Sequence, residues 1–520
     1  MRNYITITLL LFLFSLSSRS TQAQNDPVIE KIIELGKSDN QTMHHLDILT
    51  NRIGGRLIGS DNYETAVAWA KSEFEKWGMD VVLHQTGVLP IGFNRGPWFG
   101  RLLGGDNSFS SLDFATPSYT VGTKGVQRGH VLIEPKTQRE FDRMKGKLKG
   151  AWVLISGRNT GFPIDFSSRA DDIRDSTIAS NANIELKNDE IRKQNWDNRN
   201  NGVQKELLPM KDEPALFYHQ MVEAGILGII QSSPVPISAL YDRKNIQSMS
   251  WDNLPKIPDI KLNEHQYAKI EEMAKERQYF ELEFDIRNHF RMGPIPYYTV
   301  LGVIKGTEFP DEYVIMGGHL DAYDVATGAA DNASGVAPSM EAARLIMKAG
   351  GKPKRSIIVS LWSGEEFGLL GSSAWLKDNA DKLENVSAMF NRDGGPTVPT
   401  SVSVSQSMLS DFEKICKPIN DINPLFPFKV NMVPARDRPL IASGTDAAAF
   451  LVKGVPVVHL STEDVCGHNF SYGEIWHTTR DTYDKCPADY MNHTSIVTAI
   501  VVYGVANLDH LLSRDGYFKP

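Results

Sequence analysis

Two apolar runs, each followed by side chains of the kinds that bind metals, constrain this chain most. Residues 314–316 lead into His319 and Asp321, and residues 356–362 lead into the pair Glu365–Glu366. Each run has the length and composition of a buried strand. Open α/β sheets place their sites just beyond the carboxyl ends of such strands. The two runs therefore predict one sheet edge that carries several metal-ligand side chains.

The stretch between the two runs adds another carboxylate. Asp331 precedes residues 334–347, whose apolar side chains recur at helical spacing. Histidine together with several carboxylates is a donor set that zinc accepts. The adjacent carboxylates Glu365 and Glu366 would repel each other unless a cation neutralised one of them. We therefore expect one of the two to bind the metal and the other to hold a proton of water. Alternatively, the His-x-Asp and Glu-Glu pairs are ordinary surface features; their joint placement after two strands favours the metal site.

The order of patterns predicts the fold class and the domains. Residues 291–520 alternate strand and helix patterns, which predicts an α/β fold with a mostly parallel central sheet flanked by helices. Residues 24–116 would supply the first part of the same domain. Residues 117–290 contain many short strand patterns and few helical ones, so they predict an inserted β-rich module. Within it, the polar residues 158–213 predict a long loop or an irregular insertion.

The N-terminus predicts export. Residues 1–23 combine Arg2, an apolar stretch and the small-x-small motif ending at Ala23, as secretory signal peptides do, so we expect the mature chain to begin at Gln24 in the periplasm or outside the cell. An uncleaved anchor is the alternative. No later stretch reaches about 18 uninterrupted apolar residues, so no membrane span is expected. The formal net charge of −8 argues against a nucleic-acid partner.

The cysteines leave their pairing open. The chain has three, Cys416, Cys466 and Cys486. One disulfide is expected in an exported protein, with an odd thiol left over and no means of choosing the pair from sequence. None of the three has the paired C-x-x-C spacing of a zinc ribbon, so they are interpreted as structural.

Five segments carry a family resemblance. GGHLDAYDVATGAADNASG, WSGEEFGLLGS, NRDGG, SGTDAAAF and WHTTRDT resemble, in order and spacing, the motifs of the M28 family of co-catalytic zinc exopeptidases. The resemblance covers residues 297–510 and implies the zinc exopeptidase fold. Residues 117–290 resemble a protease-associated (PA) domain inserted into that fold. A homodimer is plausible from this resemblance alone.

The resemblance also implies the ligands of two zinc ions per chain. By analogy, the first ion takes His319 and Asp393, the second takes Glu366 and His477, and Asp331 bridges the two. Glu365 matches the general base, and Asp321 matches the carboxylate that orients the first histidine. Arg392, directly before a ligand, departs from the family pattern.

Several nearby residues have weaker assignments. Asp446 starts a helix pattern and is predicted to be a cap. His459 lies in an apolar run and is predicted to be buried. Asp481 is expected to steady the loop of His477. His468 and Tyr472 precede that loop and are candidates for contact with substrate.

The function expected from these residues is an exported di-zinc exopeptidase, an aminopeptidase or dipeptidase acting at the terminus of short peptides. A hydroxide between the metals would attack the peptide bond, with Glu365 as the base. Two alternatives are a single-zinc acyltransferase of the glutaminyl-cyclase type and a non-catalytic binding protein on the same fold. The complete set of five ligands argues against both.

Overall fold

A computed structural model describes residues 26–105, 108–164, 169–200, 202 and 204–520. The predicted signal peptide and its cleavage site lie outside these residues. Among the helices in this part of the chain, none combines the length and the apolar character needed to cross a bilayer.

The described residues form helices and strands throughout. In chain order the α-helices are α1 Pro27–Ser38, α2 Thr42–Asp47, α3 Asp61–Lys76, α4 Gln138–Met144, α5 Ala170–Asp197, α6 Tyr218–Glu223, α7 Arg243–Ser248, α8 Glu264–Lys275, α9 Ser334–Lys348, α10 Leu370–Asp378, α11 Leu409–Cys416, α12 Asp446–Val452, α13 Tyr472–Ile475 and α14 Ala488–Ala506. The strands are β1 Asp80–Asn94, β2 Trp98–Gly104, β3 Phe109–Ser111, β4 Phe114–Ala115, β5 Gln127–Gly129, β6 Val131–Ile133, β7 Trp152–Arg158, β8 Gly228–Ser233, β9 Asp259–Asn263, β10 Phe280–Ile286, β11 His289–Ile304, β12 Phe309–His319, β13 Arg355–Trp362, β14 Val386–Asn391, β15 Val398–Val404, β16 Lys429–Met432 and β17 Leu460–Glu463.

The central sheet has the strand order β1-β11-β13-β12-β14. β12 pairs in parallel with β13 and with β14, whereas β1 with β11 and β11 with β13 are antiparallel. The α/β prediction is confirmed, but the sheet is mixed rather than mostly parallel, because β1 and β11 add two antiparallel pairs to the two parallel ones. Parallel neighbours need a crossover connection, which α9 supplies between β12 and β13. β11 instead follows residues 95–288, which separate it in the chain from its partner β1 and are called the inserted region below.

Helices cover both faces of this sheet. Val314 and Met316 of β12 join one core with α9 and α14, and Ile315 joins a second core with α10 and α12. Because both faces are buried, every residue of β13 is buried, and the strand is mostly apolar without a strict alternation of apolar and polar residues. The predictions of strands at 314–316 and 356–362 and of a helix at 334–347 are confirmed by β12, β13 and α9.

Two more sheets lie between β1 and β11 in the chain. Their orders are β3-β2-β10-β5 and β4-β9-β8-β7-β6. β2, β3 and β4 precede residue 117 and pair with strands that follow it or with each other. Helices α4 to α8 belong to the same stretch. The division of the chain at residues 117 and 290 stays a prediction.

The prediction of an irregular segment at 158–213 is wrong for its longest part. α5, Ala170–Asp197, is a 28-residue helix. Asn181, Asn188 and Asn195 recur every seven residues on one side of it, and each binds the backbone of the returning chain, at Lys211, Leu208 and Lys205 respectively. This helix buries amides where most helices bury apolar side chains, so it lacks the apolar period by which helices are predicted.

The expected disulfide is also wrong. Cys416, Cys466 and Cys486 are all free. Cys416 and Cys486 are buried, and Cys466 is exposed. Burial raises the pKa of the Cys486 thiol well above its ordinary value and that of Cys416 to about 12. Both buried thiols are therefore inert core side chains.

Candidate active site

The parallel half of the central sheet gathers most of the predicted site residues at one edge. His319 is the last residue of β12, Glu365 and Glu366 follow β13, and Asp393 follows β14. These strands are parallel neighbours, so their carboxyl ends meet. Asp331 reaches the same edge from the turn Ala329–Ala333, and His477 from the loop after α13.

His319 faces two carboxylates. Its Nε2 lies 3.1 Å from Asp331 Oδ1 and 3.5 Å from Asp393 Oδ1. Its Nδ1 lies 2.9 Å from the backbone oxygen of Asp321. A carbonyl oxygen only accepts, so Nδ1 carries a proton, and Nε2 is the ring atom left to bind a metal ion between the two carboxylates. That tautomer is the one a metal ligand needs.

His477 makes the matching arrangement on the other side of Asp331. Its Nε2 lies 3.1 Å from Asp331 Oδ2 and 3.0 Å from Glu366 Oε2. Asp331 thus directs one oxygen to each histidine. A carboxylate placed in this way can join two metal ions, one per oxygen.

The donor set fits two divalent ions. Tetrahedral zinc with bonds of about 2.1 Å places its ligand atoms roughly 3.4 Å apart, and the four contacts span 3.0 to 3.5 Å. Glu366 Oε1 is buried without a hydrogen-bond partner. A buried carboxylate oxygen that lacks a donor is costly unless a cation satisfies it. All five predicted ligands therefore lie where two metal ions could be shared among them.

Two further carboxylates hold this arrangement in place. Asp481 accepts hydrogen bonds from the backbone N–H groups of Ala330 and Asp331, at 2.6 and 3.2 Å. Asp321 accepts from the N–H groups of Glu365 and Glu366, both at 3.2 Å. From the sequence, Asp481 is expected to steady the His477 loop and Asp321 to orient His319. Instead, the Asp481 carboxylate fixes the Asp331 turn. The Asp321 carboxylate lies 3.9 Å from His319 Nδ1, and the Asp321 backbone oxygen makes the closer contact.

Aromatic rings support His477, and sequence reasoning missed them. Tyr323 and Trp476 lie against the imidazole, with ring centroids 4.1 and 4.0 Å away. Tyr241, from the inserted region, stacks on Tyr323 at 5.0 Å. The backbone of Ile237 also accepts from Thr479 N–H at 2.9 Å. Tyr323, Tyr241 and Ile237 lie far from His477 in the chain and share no motif with it, so only the fold reveals these contacts.

Burial and mutual repulsion raise the pKa values of the acidic side chains Glu365 and Glu366. Burial raises the pKa of Glu365 to about 9, with repulsion from Glu366 and Asp446 adding to the shift. Burial likewise raises the pKa of Glu366 to about 7. For His477, burial favours the neutral ring, but attraction to Glu366 and Asp331 outweighs it and raises the pKa to about 10.

These shifts predict how the metal-free protein responds to pH. Glu365 and His477 both bind protons more tightly when folded, so the folded state holds more protons than the unfolded state, and stability falls as the pH rises. For Glu365, the decline in stability is expected between pH 4.5, the ordinary pKa of a glutamate, and about pH 9. For His477, it is expected between pH 6.5 and about pH 10. The check is the melting temperature in chelator across this range. Metal loading should flatten the decline, since metal displaces these protons. A melting temperature that rises with pH in chelator would contradict the assignment.

The site opens into a cleft of about 680 Å³. Tyr472 lines it, as expected, whereas His468 lines a separate pocket. Arg243 of α7 also lines the cleft and was missed, because nothing in the local sequence marks it.

Asp446 is fully buried and accepts a hydrogen bond from Ser372 Oγ at 2.5 Å. The prediction of a helix cap at Asp446 is wrong, since Thr445 is the N-cap residue and Asp446 is the first residue of α12.

Arg392 points away from the ligand that follows it. Its Nε donates to the carbonyl oxygen of Ser334 at 3.2 Å, and its Nη2 donates to those of Gly395 and Thr397 at 3.1 and 2.8 Å. Its backbone oxygen accepts from Asn332 Nδ2 at 2.9 Å. The guanidinium therefore braces the loop of Asp393. His459, predicted to be buried, is exposed beside it.

Comparisons with known proteins show which family model and which folds this chain resembles. Residues 299–502 match the sequence model of peptidase family M28. Carboxypeptidase Q of Xenopus laevis is 24% identical over 508 residues, which cover 94% of this chain and 91% of that protein; the Homo sapiens carboxypeptidase Q is 23% identical over 507 residues, covering 94% and 90%. The solved structure of a peptidase M28 precursor from Shewanella amazonensis SB2B has a TM-score of 0.56 at 22% identity, covering 94% of this chain and 97% of that one. The structure of BSAP, a zinc aminopeptidase from Bacillus subtilis, has a TM-score of 0.51 at 14% identity, covering 92% and 97%. The two structures share the fold of this chain.

Proposed function

We propose that this chain, whose residues 299–502 are a domain of peptidase family M28, is a two-zinc exopeptidase that acts on short peptides. The observation that carries the proposal is Asp331, whose two oxygens each lie 3.1 Å from a different histidine. The buried, unpartnered Glu366 Oε1 supports it. His319 and Asp393 would hold one ion and Glu366 and His477 the other, with Asp331 shared. We also propose that residues 1–23 direct export and that the inserted region is a PA domain.

The chemistry divides between the metals and Glu365. Zinc, when bound, supplies a Lewis acid that polarises the peptide carbonyl and lowers the pKa of water. Glu365 lines the cleft beside Glu366 and Asp393. It takes the proton of the attacking water and delivers it to the leaving amine. The Asp321 carboxylate fixes the turn that carries Glu365 through the two backbone N–H groups, so the base is held in place before substrate arrives.

The test is metal content together with hydrolysis. The purified mature chain is expected to hold two zinc ions and to cleave members of a panel of dipeptides and aminoacyl amides. A chelator should abolish cleavage, and added zinc should restore it. One metal per chain, or two metals with no cleavage of any panel member, would contradict the proposal and favour the cyclase or the binding-protein alternative.

Arg243 favours recognition of a free carboxylate. Its guanidinium is exposed on the cleft wall that also carries Glu365 and Glu366. Within the described part of the chain, Arg243 makes no hydrogen bond or ion pair. A positive charge left free in an otherwise acidic cleft suits the C-terminal carboxylate of a short peptide. The substrates proposed are therefore dipeptides and other short peptides with a free C-terminus.

Replacing Arg243 with methionine tests this preference. The expected result is a loss of about ten- to a hundredfold in kcat/KM for a dipeptide, because a charge-assisted hydrogen bond is removed. The same dipeptide with a C-terminal amide should change little. An equal loss on both substrates, or on neither, would favour recognition of the N-terminus instead. Metal content of R243M serves as the control for an intact centre.

A further inference from the structure

One side-chain cluster outside the active-site cleft holds metal-ligand groups that the proposed function does not use. In the described chain, three groups of histidine, cysteine and carboxylate side chains bring their ligand atoms within 4.8 Å of one another. Two of these groups are the halves of the active site, around His319 and His477. The third consists of Cys466, His468 and Asp489. Thiolate, imidazole and carboxylate are the side-chain groups that bind zinc in proteins.

The two oxygens of Asp489 face the other two ligands. Asp489 Oδ2 lies 4.0 Å from Cys466 Sγ, and Asp489 Oδ1 lies 3.9 Å from His468 Nε2. In tetrahedral zinc, with bonds of about 2.0–2.3 Å, such atoms lie roughly 3.3–3.5 Å apart. The ligands therefore need to approach by about half an ångström, which small side-chain rotations supply. All three side chains are exposed, so an ion can enter from solvent and complete its coordination with water.

The backbone already holds these residues together. Asp464 Oδ1 accepts hydrogen bonds from the N–H of His468 at 3.0 Å and from the hydroxyl of Tyr490 at 2.8 Å. The same hydroxyl accepts from the N–H of Cys466 at 2.6 Å. Tyr490 is buried, follows Asp489 in α14, and packs edge-on against the His468 ring at 4.9 Å. The loop that carries Cys466 is thus joined to the first turn of α14, so an ion has little chain to order when it binds.

The carboxylate of the cluster lacks a strong cationic partner. In the part of the chain that the structure describes, no lysine or arginine forms an ion pair with Asp489. Two basic side chains of the pocket beside the cluster pair with other acids, Lys485 with Asp484 at 2.5 Å and Arg480 with Glu474 at 3.0 Å. A cation at the cluster therefore meets a negative charge that no neighbouring cation has neutralised.

We propose that Cys466, His468 and Asp489 bind a zinc ion at this cluster. Cys466 releases its thiol proton to solvent as it binds the ion. The ion joins the loop after β17 to the start of α14, and so encloses residues 469–488, which contain α13 and His477. A link of this kind opposes local unfolding of the segment that it encloses. The zinc ion therefore acts as a clip on the segment that presents His477.

Cobalt makes this site visible, because a thiolate bound to Co²⁺ gives a charge-transfer band in the near ultraviolet. The proposed active-site ligands are histidines and carboxylates, and both Cys416 and Cys486 are buried. The band therefore reports on Cys466. The purified, metal-loaded chain is equilibrated with excess Co²⁺ and a reductant that binds no metal. We expect the native chain to show the band and to bind one more metal ion than C466S, which should lack the band.

Conservative variants assign the other two ligands. H468Q and D489N should each raise the cobalt concentration that gives half of the band by about a hundredfold or more, because loss of a partner outside the ligand set already costs about 10–100-fold in affinity. D484N is the matched control and should keep the band. It removes an exposed acid of the same region, but one that pairs with Lys485.

Hydrogen exchange measures the clip itself. The native chain and C466S are compared, both in zinc, so that their active sites are equally loaded. Amides of residues 469–488 should exchange about tenfold more slowly in the native chain. Equal exchange in the two proteins would mean that the ion does not restrain the segment, and would overturn the clip.

The metal measurements decide whether the site exists. A native chain without the band, or with the metal content of C466S, would overturn the proposal. A band that H468Q and D489N leave unchanged would mean adventitious binding to an exposed thiol, and would overturn it as well. The difference in metal content from C466S does not depend on how many ions the active site holds. This proposal and the two-zinc proposal can therefore fail separately.

Discussion

Replacing Glu365 with glutamine is expected to lower kcat by about a hundred- to ten-thousand-fold, the range that a general base contributes. Glutamine has nearly the shape of glutamate but cannot accept the proton of water. Glu365 takes part in none of the four contacts among the five proposed ligands. Metal content should therefore be unchanged, and KM should change little. The measurement is zinc per chain together with kcat and KM on one dipeptide.

Glu366→Gln is the matched control for this variant. It makes the same chemical change one residue along, but at Glu366, whose Oε2 lies 3.0 Å from His477 Nε2. This control is expected to lose metal as well as rate. If E365Q lost metal too, or kept its rate, Glu365 would be a structural acid and the base would have to be sought elsewhere in the cleft.

Replacing Asp331 with asparagine is expected to weaken both metal sites and to abolish activity. The two oxygens of Asp331 serve two histidines at 3.1 Å, and an amide offers one oxygen and no charge. One ion would lose its Asp331 ligand, the other would keep only a neutral oxygen, and the like charges of the metals would lose the anion between them. Zinc per chain is expected to fall below one after dialysis against a weak chelator. The measurement is zinc content as a function of chelator concentration.

Asp393→Asn separates a bridging role from a terminal one. Of the two histidines, Asp393 contacts only His319, whose Nε2 lies 3.5 Å from Asp393 Oδ1. Its asparagine variant should release one ion and keep the other, so zinc content should settle near one per chain. Equal loss from D331N and D393N would mean that the two carboxylates serve the same ion and that Asp331 does not bridge.

The edge of the sheet was predictable because its signals are local. His319 and the pair Glu365–Glu366 each follow an apolar run within a few residues, and parallel strands bring such positions together without further information. Asp331 was marked by its place between the two runs, and the family resemblance then supplied Asp393 and His477; the structure places all three at the same edge. Each of these residues lies inside a short motif that can be read without knowledge of the fold.

The remaining features depend on contacts between distant segments. Arg243 reaches the cleft only because the inserted region folds back over it, and Tyr323 supports His477 across more than 150 residues of chain. α5 escaped prediction for a different reason: its buried side is a row of asparagines, whereas helix prediction depends on a period of apolar side chains. A polar segment usually indicates a loop. In α5 the polar side chains instead form the contact between the helix and the returning chain.

The contact between the inserted region and the His477 loop indicates how much of the chain an active protein needs. Ser238 bridges to Thr478, and Tyr241 stacks on the ring that supports His477. Residues 299–502, which match the family model, therefore do not include all of the residues that support His477. A shortened protein would need the 237–241 segment and the sheets that carry it. The insertion is in this sense a part of the catalytic scaffold and could not be exchanged freely between relatives.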